Sequence, residues 1–295
     1  MRVGITGASG FVGTNLKNHL KSSYKIEDIH IRFKPNQSIK MDSNILIHLA
    51  GKAHDLKKSD SKEYFESNYE LTKQLYDEFL KSDTEIFIYM SSVKAVADEL
   101  NEILIEEALP NPKTHYGESK LLAENYILSQ NIPNNKRVYI IRPTIIHGPG
   151  NKGNLNLLFK FITKGLPWPL GSFENQRSYC NIDNLCFAIK QILVNNKIPS
   201  GIYNICDDKP LSTNELIELI SNTINKKARV LTISKKLIYF IAKLGDILKL
   251  PLNTEKLNKL TGNYIVSNEK IKKALQIESF PISTREGMIK TFKTF

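Results

Sequence analysis

The chain runs from a short apolar strand directly into three glycines. The stretch "RVGITGASGFVGTNL" sets Gly7, Gly10 and Gly13 between that strand and the opening turn of a helix. Few folds tolerate this arrangement, because it leaves bare backbone at the point where a helix presents its unpaired N–H groups. Those groups and the helix dipole attract an anion, and the glycines let a pyrophosphate approach the main chain. The spacing is GxxGxxG rather than GxGxxG, and turns collect glycine without any ligand. The strand–glycine–helix context points instead to a dinucleotide, with Gly7, Ser9, Gly10, Phe11, Val12 and Gly13 around it.

The rest of the first half repeats the alternation. "DIHIRF", "NILIHLAG", "EIFIYMSS" and "RVYIIRPTII" read as strands, and Phe11 to Leu20, Ser61 to Leu80 and Tyr116 to Ser129 read as helices. Strands separated by helices imply an α/β class, a Rossmann-type doubly wound parallel sheet covered on both faces. Only ten residues lie between Phe33 and Asn44. That is too few for another strand–helix unit, so the sheet is expected to be trimmed beside its second strand. Beyond residue 150 the pattern changes to a smaller mixed α/β lobe. A dinucleotide-binding domain over 1–150 and a substrate lobe over 151–295, interleaved with it, are the expected organisation.

Composition narrows the function. A hydrophobic fraction of 41% and a charged fraction of 24% fit a soluble globular chain. Cys180, Cys186 and Cys206 fit neither a disulfide framework nor a zinc pattern. They read as core residues in a cytoplasmic protein, and no metal site is expected. "MRVGIT" reads as a strand rather than a signal peptide, and no uncharged apolar run reaches membrane-spanning length. The formal charge of +11 is spread along the chain. An anionic small substrate or an anionic membrane face suits that distribution better than nucleic acid. Ser234 to Leu250 is basic and amphipathic, with Leu237, Phe240, Ile241, Leu244 and Leu248 on one face. It either packs on the small lobe or makes a peripheral membrane contact.

Tyr-x-x-x-Lys occurs three times, at Tyr69/Lys73, Tyr116/Lys120 and Tyr239/Lys243. Only the second pair follows a strand ending in serines ("FIYMSSVK") and precedes another ending at the same edge ("IIRPTIIHGPG"). Open sheets bind ligands at that edge. Residues i and i+4 share a helix face, so an ammonium can sit beside the phenol. A free phenol titrates near 10, and bringing it to neutrality takes roughly 4 kcal/mol of phenolate stabilisation. Lys120 and an oxidised nicotinamide would supply it. Tyr116 then exchanges a proton with an alcohol or ketone, and Ser92 holds the same oxygen. At the end of the second strand a carboxylate would meet the ribose hydroxyls. Arg32 and Lys34 stand there instead, which favours NADP(H) while leaving NAD(H) open. The plainer reading is two solvated cations.

"GASGFVG", "HLAG", "MSSVK", "YGESK" and "RPTIIHGPG", in this order, resemble the extended short-chain dehydrogenase/reductase family. The match is nearest to UDP-hexose 4-epimerases and to UDP-sugar 4-keto-reductases of bacterial polysaccharide pathways. The resemblance implies that Leu49, Ala50, Gly51 and Lys52 border the cofactor, that Asn68 supports the site, and that Pro143 lies near the nicotinamide carboxamide. It further implies a UDP-sugar held by Ser92, Lys94, Thr144, Asn154 and Leu155, with its diphosphate on Arg177, and a homodimer. Bland alternatives stand beside these: a solvated loop cation at Lys94, a helix N-cap at Asn154, a surface ion pair at Arg177. His48 reads as a hydrogen-bonded core residue; His54 lies on the other side of "LAG". His147 stands where the family often has tyrosine and is given no role. Family dehydratases carry an Asp-Glu pair after the serine. Val93 to Val96 contain none, so 4,6-dehydration is not expected. The short connection after Phe33 resembles the 4-keto-reductases. Reduction of a UDP-4-keto-6-deoxy-hexosamine is the expected activity, 4-epimerisation the alternative, and a dinucleotide-sensing regulator the non-enzymatic one.

Overall fold

The structure is a computed structural model that describes residues 1–53, 60–151, 153–249 and 253–295. Its strands are β1 (Arg2–Thr6), β2 (Lys25–Ile29), β3 (Ile45–His48), β4 (Ile86–Met90), β5 (Arg137–Pro143), β6 (Ile145–His147), β7 (Tyr179–Asn181) and β8 (Gly201–Ile205). Six of them form one parallel sheet in the order β2-β1-β3-β4-β5-β8, while β6 and β7 pair separately. The helices are α1 (Phe11–Leu20), α2 (Ser61–Phe65), α3 (Leu71–Lys81), α4 (His115–Ser129), α5 (Asn154–Thr163), α6 (Ile182–Val194), α7 (Thr213–Thr223), α8 (Lys235–Leu248), α9 (Thr254–Thr261), α10 (Glu269–Leu275) and α11 (Thr284–Phe292).

β3 and β4 are buried along their whole length, as strands covered on both faces must be. Alternate residues serve opposite layers. Ile86, Ile88 and Met90 join a core with α1 and α6, whereas Phe87 and Tyr89 face Leu75, Phe79 and Ile127 of α3 and α4. The doubly wound architecture follows from this two-sided demand. A second apolar cluster, with Leu155, Trp168, Ile217 and Phe292, is drawn from residues beyond 150. Cys180, Cys186 and Cys206 are free and buried, and burial pushes all three thiols up.

Four local expectations are corrected. The second strand starts at Lys25 and ends at Ile29, not Phe33. Its one partner among the described residues, β1, stops at Thr6 opposite Ile29, so the pairing does not extend to Ile31 and Phe33; both instead pack against the α3/α4 layer. Among the described residues no strand lies outside β2, in keeping with the short connection. The strand expected over "RVYIIRPTII" divides at Thr144, where the N–H bonds to Ile205 O (3.1 Å) and the chain leaves β8 for β7. The helix expected from Ser61 to Leu80 contains one widened π-turn, Glu66–Glu70. In α8 the buried residues are Ile238, Ala242 and Gly245; the apolar face anticipated there points away from the lobe. His54 and Leu250 lie outside the described residues.

Candidate active site

All six strands point their C-terminal ends at one edge of the sheet, and the motif residues gather there. β1 ends at Thr6 and the chain turns through Gly7, whose φ of +66° suits glycine. A Cβ on Gly7 would lie 2.7 Å from Ala50 N, and one on Gly13 would lie 2.5 Å from Gly7 O. The loop is thus folded onto both the β3 end and its own helix as only glycine allows. Gly10 caps α1 without a side-chain bond, and Ser9 and Gly10 are exposed while Phe11 and Val12 are half-buried. The helix N-terminus is therefore open to an anion. Leu49, Ala50, Gly51 and Lys52 follow β3 directly and form the facing wall. The residues present fit a dinucleotide.

Tyr116 lies in the first turn of α4, half-buried, with its ring 6.3 Å from that of buried Tyr64. Burial raises its pKa, and a hydrogen bond with the Ser92 side chain works against that rise. Ser92 follows β4 by two residues, and its Oγ accepts from Lys94 N. One turn along α4, Lys120 is buried. Its ammonium donates to Met90 O (2.8 Å) and lies 4.8 Å from the centre of the Tyr89 ring. Desolvation lowers its pKa to about 8, and the Glu124 carboxylate opposes that drop. Glu124 is itself fully buried, bound by Arg142 and by Ser91 Oγ. The other two Tyr-x-x-x-Lys pairs go elsewhere: Lys73 covers the Tyr126 ring, and Tyr239 is exposed on α8.

Asn68 ties the two halves of the site together. The π-turn places it inward and fully buried. Its Oδ1 accepts from Lys52 N (2.8 Å), and its Nδ2 donates to Lys52 O (3.1 Å) and to Ser119 Oγ (3.0 Å). A widened turn of this kind is common at functional sites because it re-aims one side chain. A hydrogen-bonded chain runs from the same residue to the glycine loop. Thr72 Oγ1 donates to Asn68 O (2.7 Å), so it accepts from His48 Nε2 (2.9 Å). His48 Nδ1 then accepts from Thr6 Oγ1 (2.7 Å), which accepts from Ala50 N (3.1 Å). Burial, and then the nearby Lys120, hold His48 down to about 3, so the ring is neutral. His48 is a hydrogen-bonded core residue, as its apolar strand suggested.

The remaining candidates form a second group. Lys94 Nζ donates to Asp98 O (2.8 Å) and lies 4.5 Å from the Tyr264 ring centre. Burial lowers its pKa, and Arg177 and Lys259 lower it further. The Asp98 carboxylate opposes that fall. The Arg177 guanidinium is steered by carbonyls at the end of α9, donating from Nε to Gly262 O (3.1 Å) and from NH2 to Lys259 O. Cations suit a helix C-terminus. Pro143 ends β5, and Thr144 beside it is buried with an Oγ1 that has no hydrogen-bond partner among the described residues. Asn154 is not the cap of α5. Gly153 occupies that position, its N–H bonded to Asn156 Oδ1 (2.8 Å), and Asn154 is exposed in the first turn. Leu155 is buried in the second apolar cluster, with Trp168 and Ile217. Arg32 and Lys34 are exposed beyond the β2 end. His147, given no role, is buried between Thr291 and Asp207.

Sequence reasoning missed Tyr64, Glu124, Arg142 and Tyr264. Tyr64 and Tyr264 reach the site from other segments, whereas Glu124, one turn beyond Lys120 on α4, and Arg142, beside Pro143, adjoin the motifs; their pairing with each other depends on the packing of α4 against β5.

This constellation on a doubly wound sheet defines an extended short-chain dehydrogenase/reductase, an NAD(P)-dependent enzyme. Residues 3–206 match the model of the NAD dependent epimerase/dehydratase family, and the chain belongs to that family. It is 27% identical to a UDP-glucose 4-epimerase of Vibrio cholerae, over 99% of this chain and 94% of that one. It is 29% identical to an N-acetyl-alpha-D-glucosaminyl-diphospho-ditrans,octacis-undecaprenol 4-epimerase of Escherichia coli O157:H7, over 91% and 84%. Among solved structures it resembles a UDP-glucuronic acid 4-epimerase from Bacillus cereus in complex with NAD. The TM-score is 0.76 at 20% identity, covering 100% of this chain and 98% of the other.

Proposed function

We propose that this enzyme works at C4 of a UDP-hexose, and that 4-epimerisation is its reaction. What carries the reading is the Tyr116 phenol, hydrogen-bonded to Ser92, with the Lys120 ammonium one helical turn away at the edge that holds the glycine loop. Two relatives matched along nearly their full length, both 4-epimerases, support it. A nicotinamide cofactor held by the glycine loop and the wall over residues 49–52 would supply reversible hydride transfer at C4. Tyr116 takes the C4 hydroxyl proton as the ketone forms and gives it back after the sugar turns its other face. Ser92 holds that oxygen throughout. Lys120 lowers the cost of the phenolate that burial would otherwise make expensive. Lys94 and Arg177 face the diphosphate, and the unpartnered Thr144 hydroxyl is a natural donor to the sugar. In this reading the sheet domain over 1–150 holds the dinucleotide and the lobe over 151–295 holds most of the nucleotide sugar. Arg32 and Lys34 favour a 2′-phosphate, so NADP(H) is the cofactor to test first.

Reduction of a UDP-4-keto sugar, the activity expected from the sequence, becomes the second reading; what favours it is that no strand lies outside β2 among the described residues. The two differ in cofactor balance. Incubation with UDP-glucose or UDP-N-acetylglucosamine should give a mixture of C4 epimers, seen by proton NMR, with no net change in reduced nicotinamide. A reductase would instead consume NAD(P)H one-for-one with a UDP-4-keto sugar. If neither mixture nor consumption appears, both readings fail.

A further inference from the structure

Helix α8 takes no part in the site, yet its outer face is not that of an ordinary surface helix. Leu237, Phe240, Ile241, Leu244, Ile247 and Leu248 are 38–75% exposed. At about 100° per residue they fill an arc of roughly 120°, opposite the Ile238, Ala242 and Gly245 side that packs inward. A continuous exposed apolar stripe of this size marks an interaction surface. Lys235, Lys236, Lys243 and Lys249 are exposed around it, and a groove lined by the first three with Tyr239 and Phe240 opens beside them. The segment's one acid, Asp246, accepts from Thr254 N and Thr254 Oγ1 at the start of α9, so four lysines stand against a single carboxylate.

We propose that α8 seats this enzyme on an anionic membrane surface. Charge complementarity selects that occupant. A second copy docked face to face would bring the same four lysines against each other, in a chain that already carries +11. A bilayer bearing anionic headgroups accepts both parts of the face at once: the apolar side chains enter the acyl boundary while the lysine stems extend to the phosphates. The helix lies in the interface and does not span it, since no helix among the described residues is long and apolar enough to cross a membrane. The seat is joined directly to the candidate diphosphate site. The Tyr239 ring stands edge-on to Phe173 (5.8 Å), Lys235 lies over that same ring, and α9, packed on α8, supplies the carbonyls that steer Arg177. Seating α8 therefore holds the lobe that carries Arg177 against the membrane.

The test is co-sedimentation of the full-length protein with vesicles of phosphatidylcholine alone and of phosphatidylcholine mixed with phosphatidylglycerol. Binding to the mixed vesicles should exceed binding to neutral ones by at least about tenfold and should fall as salt is raised. The exposed double variant Phe240→Glu/Ile247→Glu should lose roughly tenfold or more of that binding, with its circular dichroism and its turnover of soluble substrate unchanged. Failure to bind mixed vesicles, or equal binding by the double variant, overturns the proposal. So does sedimentation velocity showing that the face joins two copies: a wild-type dimer that the double variant splits into monomers, with no vesicle binding by either. None of these outcomes depends on which sugar the enzyme uses.

Discussion

Replacing Lys120 with methionine should make this enzyme inactive and more stable. The buried ammonium has its pKa lowered from 10.5 to about 8, which at about 1.4 kcal/mol per tenfold change corresponds to about 3 kcal/mol. The folded chain carries that penalty at neutral pH and so keeps a buried cation one helical turn from Tyr116. Methionine removes it with a side chain of similar length but leaves Met90 O without its ammonium donor, a loss of about 1 kcal/mol. The expected net gain at pH 7 is thus about 2 kcal/mol. The sign follows from linkage. Between pH 8 and 10.5 the unfolded chain binds the Lys120 proton and the folded one does not, so wild-type stability rises with pH through that window. Below pH 8 both states are protonated and the penalty is constant. The advantage of Lys120→Met should therefore hold steady below pH 8 and shrink or reverse by pH 10.5. Urea unfolding followed by fluorescence, at fixed pH steps for both proteins without added nucleotide, measures the difference directly. A variant that is less stable at pH 7, with a gap independent of pH, would refute the account of a desolvated ammonium.

Three further outcomes follow from the same geometry. Tyr116→Phe should lower kcat at least about 100-fold, the scale of general acid–base assistance, while isothermal titration shows cofactor affinity unchanged. Asn68→Ala strips the partners from Lys52 N, Lys52 O and Ser119 Oγ. It should cost about 1–3 kcal/mol in denaturant unfolding and weaken cofactor binding, because Lys52 belongs to the facing wall. Glu124→Gln leaves the buried Arg142 charge without a carboxylate, the two side chains being 0% and 3% exposed. A loss of about 3–5 kcal/mol is expected, readable as a lowered urea midpoint.

Much of the sheet was legible because its signals are local. A strand buried on both faces must be apolar throughout, as "NILIHLAG" and "EIFIYMSS" are, and three glycines between a strand and a helix allow few conformations. The order Ser92, Tyr116, Lys120 could be read because two strand ends and one helical turn bring these residues together. Illegible features depend on partners remote in the chain. Nothing in "DIHIRF" reveals that its neighbour stops opposite Ile29. The periodicity from Ser61 to Leu80 does not disclose a π-turn, because one added residue in a turn barely disturbs a hydrophobic stripe yet swings Asn68 inward. The apolar positions of α8 were correctly grouped on one face, but which face the lobe covers depends on where Ile238, Ala242 and Gly245 find their cavity.

By itself, then, the order of residues determined the doubly wound sheet, the glycine turn and the one-turn spacing of Tyr116 and Lys120 on α4, since each follows from steric and hydrogen-bonding rules acting over a few consecutive residues. Tertiary structure alone decided how strongly that pair is perturbed. The desolvation of Lys120, the neutrality of His48 and the burial of Lys94 arise from segments that meet only in the folded chain, where water is excluded and charged groups feel one another more strongly than in solution.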